Sequence, residues 1–487
     1  MIRLTLLYAF VFGFAVHAWR NWFTSLCALI FLTAVSEHPD MPKAILGIPG
    51  LNPWNLLLLC VVTGWAASRG RERLRFDLPG GVALLLFLYL VIVLVAFVRM
   101  LADRSYIDYI PTKDLITDYF INTIKWAVPG LLLFDGARTP ARKWLALVTI
   151  IGVYLAFAVQ VIRWMPAASW HMEGRELEHL GLRLIHNEIG FSRVNMSMML
   201  AGGAWAVLAL APCVRRRWRP LVYLGFLAVS YAQALTGGRM GYVTWGVLGL
   251  ILGVVRWRRY LLLAPVVLFV VTWTVPAVRE RMLEGIVSHE EEIAADAPVD
   301  DYQMTSGRTY IWPFVLKKIG ERPVLGFGML AMQRTGLAAQ FRYEGFAHPH
   351  NAYLEVLLDS GVVGLVPILF FYIAVTVRAL RLFVKPRDAI DSAIGGASCA
   401  LVLALLVAGM GSQHFYPQVG GVGMWAAIGL MLRASVERAQ ARRAAREVLR
   451  ARHLGRRRAR PGPPEPNEPT PSSHPWHALA PPRRHDR

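Results

Sequence analysis

Residues 80–98 read GGVALLLFLYLVIVLVAFV, nineteen positions without a charge. A helix rising 1.5 Å per residue needs about that length to cross a hydrocarbon core about 30 Å thick. Lipid offers the backbone no hydrogen-bond partner, so such a stretch is helical. Working outward, comparable apolar blocks recur at 4–19, 21–36, 54–68, 120–134, 144–162, 195–213, 219–235, 238–255, 259–276, 361–384, 390–412 and 418–434. The fold class that follows is all-α, a polytopic membrane bundle. Composition agrees: 55% of the 487 residues are hydrophobic and 17% charged, where a soluble domain carries about 25% charged residues.

Basic clusters orient the bundle. They are Arg69, Arg71, Arg73 and Arg75; Arg138, Arg142 and Lys143; Arg215, Arg216, Arg217 and Arg219; Arg256, Arg258 and Arg259; Arg378, Arg381, Lys385 and Arg387; and the C-terminal tail. Each alternates with a connection poor in basic residues, so all six fit on the cytoplasmic side together. Blocks 4–19 and 21–36 are separated only by Arg20. Two crossings there make thirteen spans; one crossing from Ile2 to Val35, tilted or broken near His17, makes twelve. Twelve, with both termini cytoplasmic, is the preferred count, and a cleaved signal peptide is not expected.

The organisation expected is a membrane domain over 1–434, a long outer loop at 277–349 within it, and a tail over 435–487. From Arg433 the tail holds 14 Arg against 5 acids, a net +9 of the chain's +20. It reads as a basic helix and then a Pro-rich segment expected to be disordered. Attraction to anionic membrane lipids accounts for its charge. The remaining charge sits in inter-span loops, so a nucleic-acid partner is not expected. Cys27, Cys60, Cys213 and Cys399 lie in apolar blocks with no CxxC pair, which suggests neither a disulfide framework nor a zinc ribbon.

Ionisable groups beside spans are costly and point to function. Three outer-side stretches stand out. Thr236-Gly237-Gly238-Arg239 makes a tight turn between adjacent spans and leaves Arg239 at the bundle mouth, or snorkelling at a span end. In Thr305-Ser306-Gly307-Arg308, a capped helix of about Arg308–Ile319, closed by Glu321-Arg322-Pro323, puts Arg308 in a first turn where the helix dipole disfavours a cation. A phosphate would serve it, and so would the acidic run Glu290–Glu292. The third stretch, His348-Pro349-His350-Asn351 through Asp359-Ser360-Gly361, starts a helix with a histidine able to accept a proton. His-x-His also permits zinc, though no carboxylate cluster adjoins it in sequence. Two arginines and a histidine on one face describe glycosyl transfer from a diphosphate-linked sugar.

The order of these features resembles the O-antigen ligase and polymerase superfamily. The likeness rests on Gly237–Arg239, Gly307-Arg308 with Trp312, Arg322-Pro323 with Gly326-x-Gly328, and above all His350-Asn351-x-Tyr353-Leu354-Glu355 continuing through Gly361 to Gly364-Leu365. It covers roughly 190–365 in sequence-specific terms. The resemblance implies a bacterial inner-membrane enzyme with its active site facing the periplasm, working by inversion, with no metal and no cofactor. The donor it implies is an undecaprenyl-diphosphate-linked glycan, and the acceptor a glycan or lipid A–core hydroxyl. His350 would be the base, Arg239 and Arg308 the diphosphate ligands, and Arg193 a third phosphate contact. Ligase and polymerase share these motifs. A flippase of lipid-linked oligosaccharide is the rival from another class, against which stand the absence of a visible internal repeat and the clustering of the residues at one face.

Overall fold

The computed structural model describes residues 2–72, 76–170, 172–262, 273, 279–280, 308–341, 347–411 and 414–458. Its helices are α1 Ile2–His17, α2 Trp22–Leu32, α3 Pro53–Arg69, α4 Gly80–Ala102, α5 Val128–Gly136, α6 Pro140–Trp164, α7 Gly174–Leu184, α8 Arg193–Ala209, α9 Arg219–Leu235, α10 Arg239–Val255, α11 Arg308–Glu321, α12 Ala352–Val384, α13 Ala389–Ala408 and α14 Val422–Arg458, joined by shorter turns. A two-residue hairpin, Ala44–Ile45 with Ile48–Pro49, is the one sheet among the described residues. The protein is therefore an all-α membrane protein.

Six helical segments among the described residues are long and apolar enough to cross a membrane: Gly80–Ala102, Pro140–Trp164, Arg193–Cys213, Ala352–Val384, Ala389–Ala408 and Val419–Arg450. Ile2–His17, Trp22–Val35 and Arg239–Val255 are shorter apolar helices. The block at 120–134 does not form one rod: a π-turn at Thr117–Ile121 and a single turn at Asn122–Lys125 precede α5. Most of block 259–276, the start of the outer loop and the Pro-rich tail end lie outside the described residues.

The residues fall into two compact units, Met1–Glu437 and Arg438–Arg487. In the first, α8 packs against α9, α10 and α13, while α12 packs against α4 and α13. Tyr89, Phe371, Tyr372 and Trp425 form its aromatic centre, with the Phe371 and Trp425 rings stacked 5.7 Å apart. Backbones meet where side chains are missing. A Cβ at Gly130 would lie 2.3 Å from the Trp425 carbonyl oxygen, and one at Gly429 would lie 1.9 Å from that of Gly130, so α5 and α14 touch through glycine. In the second unit the helix continues to Arg458, with residues 441–450 exposed.

Ion pairs bring the basic clusters to one end. Arg142 pairs with Glu72 at 2.6 Å, Arg138 with Asp135 at 3.2 Å, Arg433 with Asp77 at 2.6 Å, and Lys143 with Glu437. The Arg256 guanidinium lies 5.1 Å from the Phe383 ring centre, and Cys213 Sγ donates to the Ala389 carbonyl. The electrostatic reach of Glu437 to Arg387 ties these groups together. Loops far apart in sequence thus lie close together.

Candidate functional site

At the opposite end the chain makes an unusual splice. Helix α12 is broken at Gly361, whose φ of +62° and ψ of −164° are non-helical. The break frees backbone groups, and the segment after α11 takes them. Val362 N–H donates to the Pro323 carbonyl at 2.9 Å and Val363 N–H to that of Val324 at 3.2 Å. In return Phe327 N–H donates to the Leu358 carbonyl and Gly328 N–H to that of Asp359, at 2.8 and 2.6 Å. Backbones this close exclude side chains: a Cβ at Gly361 would lie 2.2 Å from the Val324 oxygen, and one at Gly326 2.6 Å from the Leu358 oxygen. Left-handed φ at both positions suits glycine. Arg99 of α4 donates to the Leu325 and Gly326 carbonyls, and buried Arg334 donates to those of Phe327 and Met329 while pairing with Asp103 at 2.8 Å. Two arginines thereby fasten the splice to the bundle.

α11 lies over this splice. Ile311, Val315, Met332, Leu337, Phe341 and Leu358 make a small apolar core of their own. Phe341 packs in that core, with Tyr310 and Phe314 edge-on to it. Arg308 opens α11, as expected; its side chain, its capping residues Thr305 and Ser306, and the acidic run at 290–292 lie outside the described residues. Trp312 Nε1 donates to the Pro349 carbonyl at 3.0 Å, so the helix begun by Arg308 steers the loop that carries His350.

His350 is half-buried and has a φ of +52°, sparsely populated for a residue with a Cβ. The next residue caps α12: the Asn351 side chain accepts from the N–H groups of Tyr353 and Leu354, at 3.0 and 3.2 Å. Ala352 N–H donates to the Gly409 carbonyl, and Tyr353 Oη to that of Leu406. The helix start is thus seated on the end of α13.

A histidine array surrounds it. The His350 N–H donates to His348 Nδ1 at 3.3 Å, and the two rings are 4.1 Å apart. On the other side of His348, 5.2 Å away, is His414, whose Nδ1 lies 2.5 Å from Glu355 Oε2. One turn further along α12, buried Asp359 accepts from Tyr416 Oη at 3.0 Å and from the Ala331 N–H at 3.1 Å. Burial, helped by neighbouring His414, holds His348 below the ordinary histidine range, although Glu355 pulls it the other way. The Glu355 carboxylate lifts His414 above that range against its burial. Among the described residues, no three of His, Cys, Asp and Glu converge as a metal site.

Arg193 and Arg239 belong to one local structure. Arg193, buried at the start of α8, donates to the Gly237 carbonyl at 2.8 Å and pairs with Glu178 of α7 at 2.6 Å. Gly237 has a left-handed φ of +65°, and Arg239 is the first residue of α10, half-buried. Arg193 therefore braces the turn that presents Arg239. This turn meets the loop that seats His350: a Cβ at Gly411 would lie 2.5 Å from Met240 Cγ, and Asn351 Nδ2 reaches the Met410 carbonyl at 3.5 Å. A shallow, largely apolar cleft with about 50 Å³ of enclosed space is lined by Asn195 of α8 and by His414, Tyr416 and Gln418. The arginine turn and the histidine start are thus on opposite sides of one short loop.

His414 and the partner role of Glu355 are not among the residues that the sequence singles out. The available signal is a lone histidine closing the apolar block 390–412, with a glutamate inside the His350 motif.

Residues 224–369 match the family model described as O-antigen ligase. That stretch takes in Arg239, Arg308 and His350 and leaves out Arg193 and His414. A protein of Rickettsia conorii, provisionally named a polysaccharide ligase, is 24% identical over 179 residues, 34% of this chain and 41% of its own length. One of Rickettsia prowazekii, named likewise, is 39% identical over 66 residues, 12% of this chain and 16% of its own. The chain thus matches less than half the length of these relatives.

Proposed function

From a chain that belongs to the O-antigen ligase superfamily, we propose a glycan transferase that moves a sugar chain from undecaprenyl diphosphate to an acceptor hydroxyl on the periplasmic face of a bacterial inner membrane. The observation that carries the reading is the convergence of the Arg239 turn and the His350 helix start on the loop at 409–411, with α11 bonded to the His350 segment through Trp312. In this reading twelve crossings put the basic clusters in the cytoplasm, and 277–349 is the outer loop.

His350 accepts the proton of the acceptor hydroxyl as that oxygen attacks the anomeric carbon. The bond from that carbon to the diphosphate breaks on the opposite face, and its electron pair stays on the leaving oxygen. The configuration inverts. Arg239 and Arg308 neutralise the growing charge with bidentate contacts to phosphate oxygens. Arg193, already holding Glu178 and the Gly237 carbonyl, adds positive charge beneath the same turn.

The test is His350→Ala in a deletion strain complemented with the variant at wild-type membrane abundance. Surface glycan is expected to disappear, a loss of at least about 100-fold for a missing general base, with lipid-linked glycan accumulating on the outer face. Long chains in that pool identify a ligase, and single repeat units a polymerase. Undiminished surface glycan would remove His350 as the base. Donor trapped on the inner face would make the protein a flippase.

A further inference from the structure

The reaction as proposed uses His350 and gives no part to three titratable neighbours, His348, His414 and Glu355. They are not a random cluster. They form a line from Glu355 of α12 through His414, after α13, to His348, which is bonded to the backbone of His350 itself.

A left-handed backbone on a residue with a Cβ persists only where its surroundings hold it. Here the His350 N–H is held by the lone pair on His348 Nδ1. That lone pair exists only while His348 is neutral at Nδ1, because both nitrogens of an imidazolium are donors. The ring next to His348 is His414, which pairs with Glu355, and the carboxylate favours the protonated form of that ring. A cation 5.2 Å away opposes a second proton on His348.

We propose that His414, paired with Glu355, is a positioning residue whose charge adds to burial in keeping His348 neutral, so that His348 can hold His350 in the conformation in which it meets the acceptor. The inference rests on the reading of His350 as the base for its consequence in activity, but not for the state of His348. The groups that face the pair are Glu355 and Asp359 of α12, Tyr416 beside His414, His348 and His350 from the preceding loop, and Tyr119 of the π-turn, which feels Glu355; Arg334 acts on Asp359. His414 opposes the protonation of His348 by its charge, while Glu355 favours it.

This arrangement makes the single and double substitutions differ in sign. His414→Gln removes the cation and leaves the Glu355 carboxylate, so His348 gains its proton at higher pH. Adding Glu355→Gln removes that carboxylate as well, and His348 returns toward its original behaviour. The assay is transfer in permeabilised membranes of the deletion strain, which supply their own lipid-linked glycan and acceptor, with each purified variant added back across a pH series. The acid limb of the pH–rate profile is expected to move up by about one pH unit in His414→Gln, the size of shift a neighbouring charge produces. It should move back in Glu355→Gln/His414→Gln. With His348→Gln as the starting protein, adding His414→Gln should move nothing. An unmoved limb in His414→Gln, or a shift that survives the loss of His348, overturns the proposal.

Should His414→Gln not accumulate, histidine-labelled wild-type protein in nanodiscs carries the test. The NMR signal that His348→Gln removes should titrate below the ordinary value of about 6.5; titration at or above it overturns the proposal. Transfer that persists in His350→Ala would instead sink the assignment of the base and leave this titration standing.

Discussion

The two ends of the bundle hold charge in different ways. At the basic end, arginines meet carboxylates and backbone carbonyls. Arg433, 1% exposed, reaches both oxygens of Asp77 and the Phe134 carbonyl; Asp135, fully buried, takes Arg138 and the Trp65 indole N–H. Every one of these bonds joins parts of the scaffold. At the other end Arg99 and Arg334 do similar work on the splice, but beside them successive contacts link three histidines to a glutamate, and Tyr416 donates to Asp359 nearby. Histidine is the side chain that changes charge near neutral pH. On the proposed function, paired arginines serve the frame and the titratable histidines serve the chemistry. Exchanging properties between the two ends should therefore have unequal consequences.

The largest effect belongs to the splice. Gly361→Ala puts a methyl group 2.2 Å from the Val324 oxygen on a backbone at φ +62°. Backbone strain and overpacking each cost about 1–3 kcal/mol, and the paired segments 323–328 and 358–363 cannot relax independently. The purified variant should lose about 3 kcal/mol or more in denaturant unfolding, with transfer falling with it. A variant of wild-type stability would mean that the break in α12 is not enforced by this contact.

Sequence reasoning reaches the splice only in part. The length of apolar blocks dictates helices because lipid allows little else, and the alternation of basic clusters places their loops on one side. Gly361 is readable as the stop of one helix, since glycine breaks a helical run. The bonding of its neighbours to partners 31 or 39 residues upstream is not readable, because backbone hydrogen bonds carry no side-chain signature. The same limit hides His414. Glu355 and His414 are 59 residues apart, and neither hydropathy nor local spacing records that α12 and the loop after α13 converge. The sequence marks Arg193 as a candidate phosphate contact before a span; its bonds to Glu178 and the Gly237 carbonyl depend on how α7, α8 and the α9–α10 turn meet.

At the basic end the expectation is a cost in stability without a cost in chemistry. Arg433→Met leaves Asp77 paired with Arg138 at 3.4 Å. Removing one partner of a buried pair costs about 3–5 kcal/mol, and Asp77, about a third exposed, lowers that toward about 2 kcal/mol. Adding Asp77→Asn should recover part of the loss, because it removes the stranded charge. Denaturant unfolding of wild type, both singles and the double variant measures the coupling. Transfer per folded molecule should match wild type in all four. A fall in specific activity at normal stability would break the distinction between the ends.

The smallest effect separates bracing from binding at Arg193. Lysine keeps the charge but lacks the fork that spans the Gly237 carbonyl and Glu178 together. If Arg193 chiefly braces the turn before Arg239, Arg193→Lys loses about one hydrogen bond, worth about 1 kcal/mol, and the turn loosens. Donor KM should then rise about fivefold with kcat little changed, since weaker presentation of Arg239 affects binding before the barrier. Glu178→Gln, which weakens the same brace from the other side, should give the same pattern. If Arg193 instead contacts the diphosphate as its charge grows, Arg193→Lys lowers kcat while Glu178→Gln does not. Steady-state kinetics on the two variants thus decides whether this arginine belongs with the frame or with the chemistry.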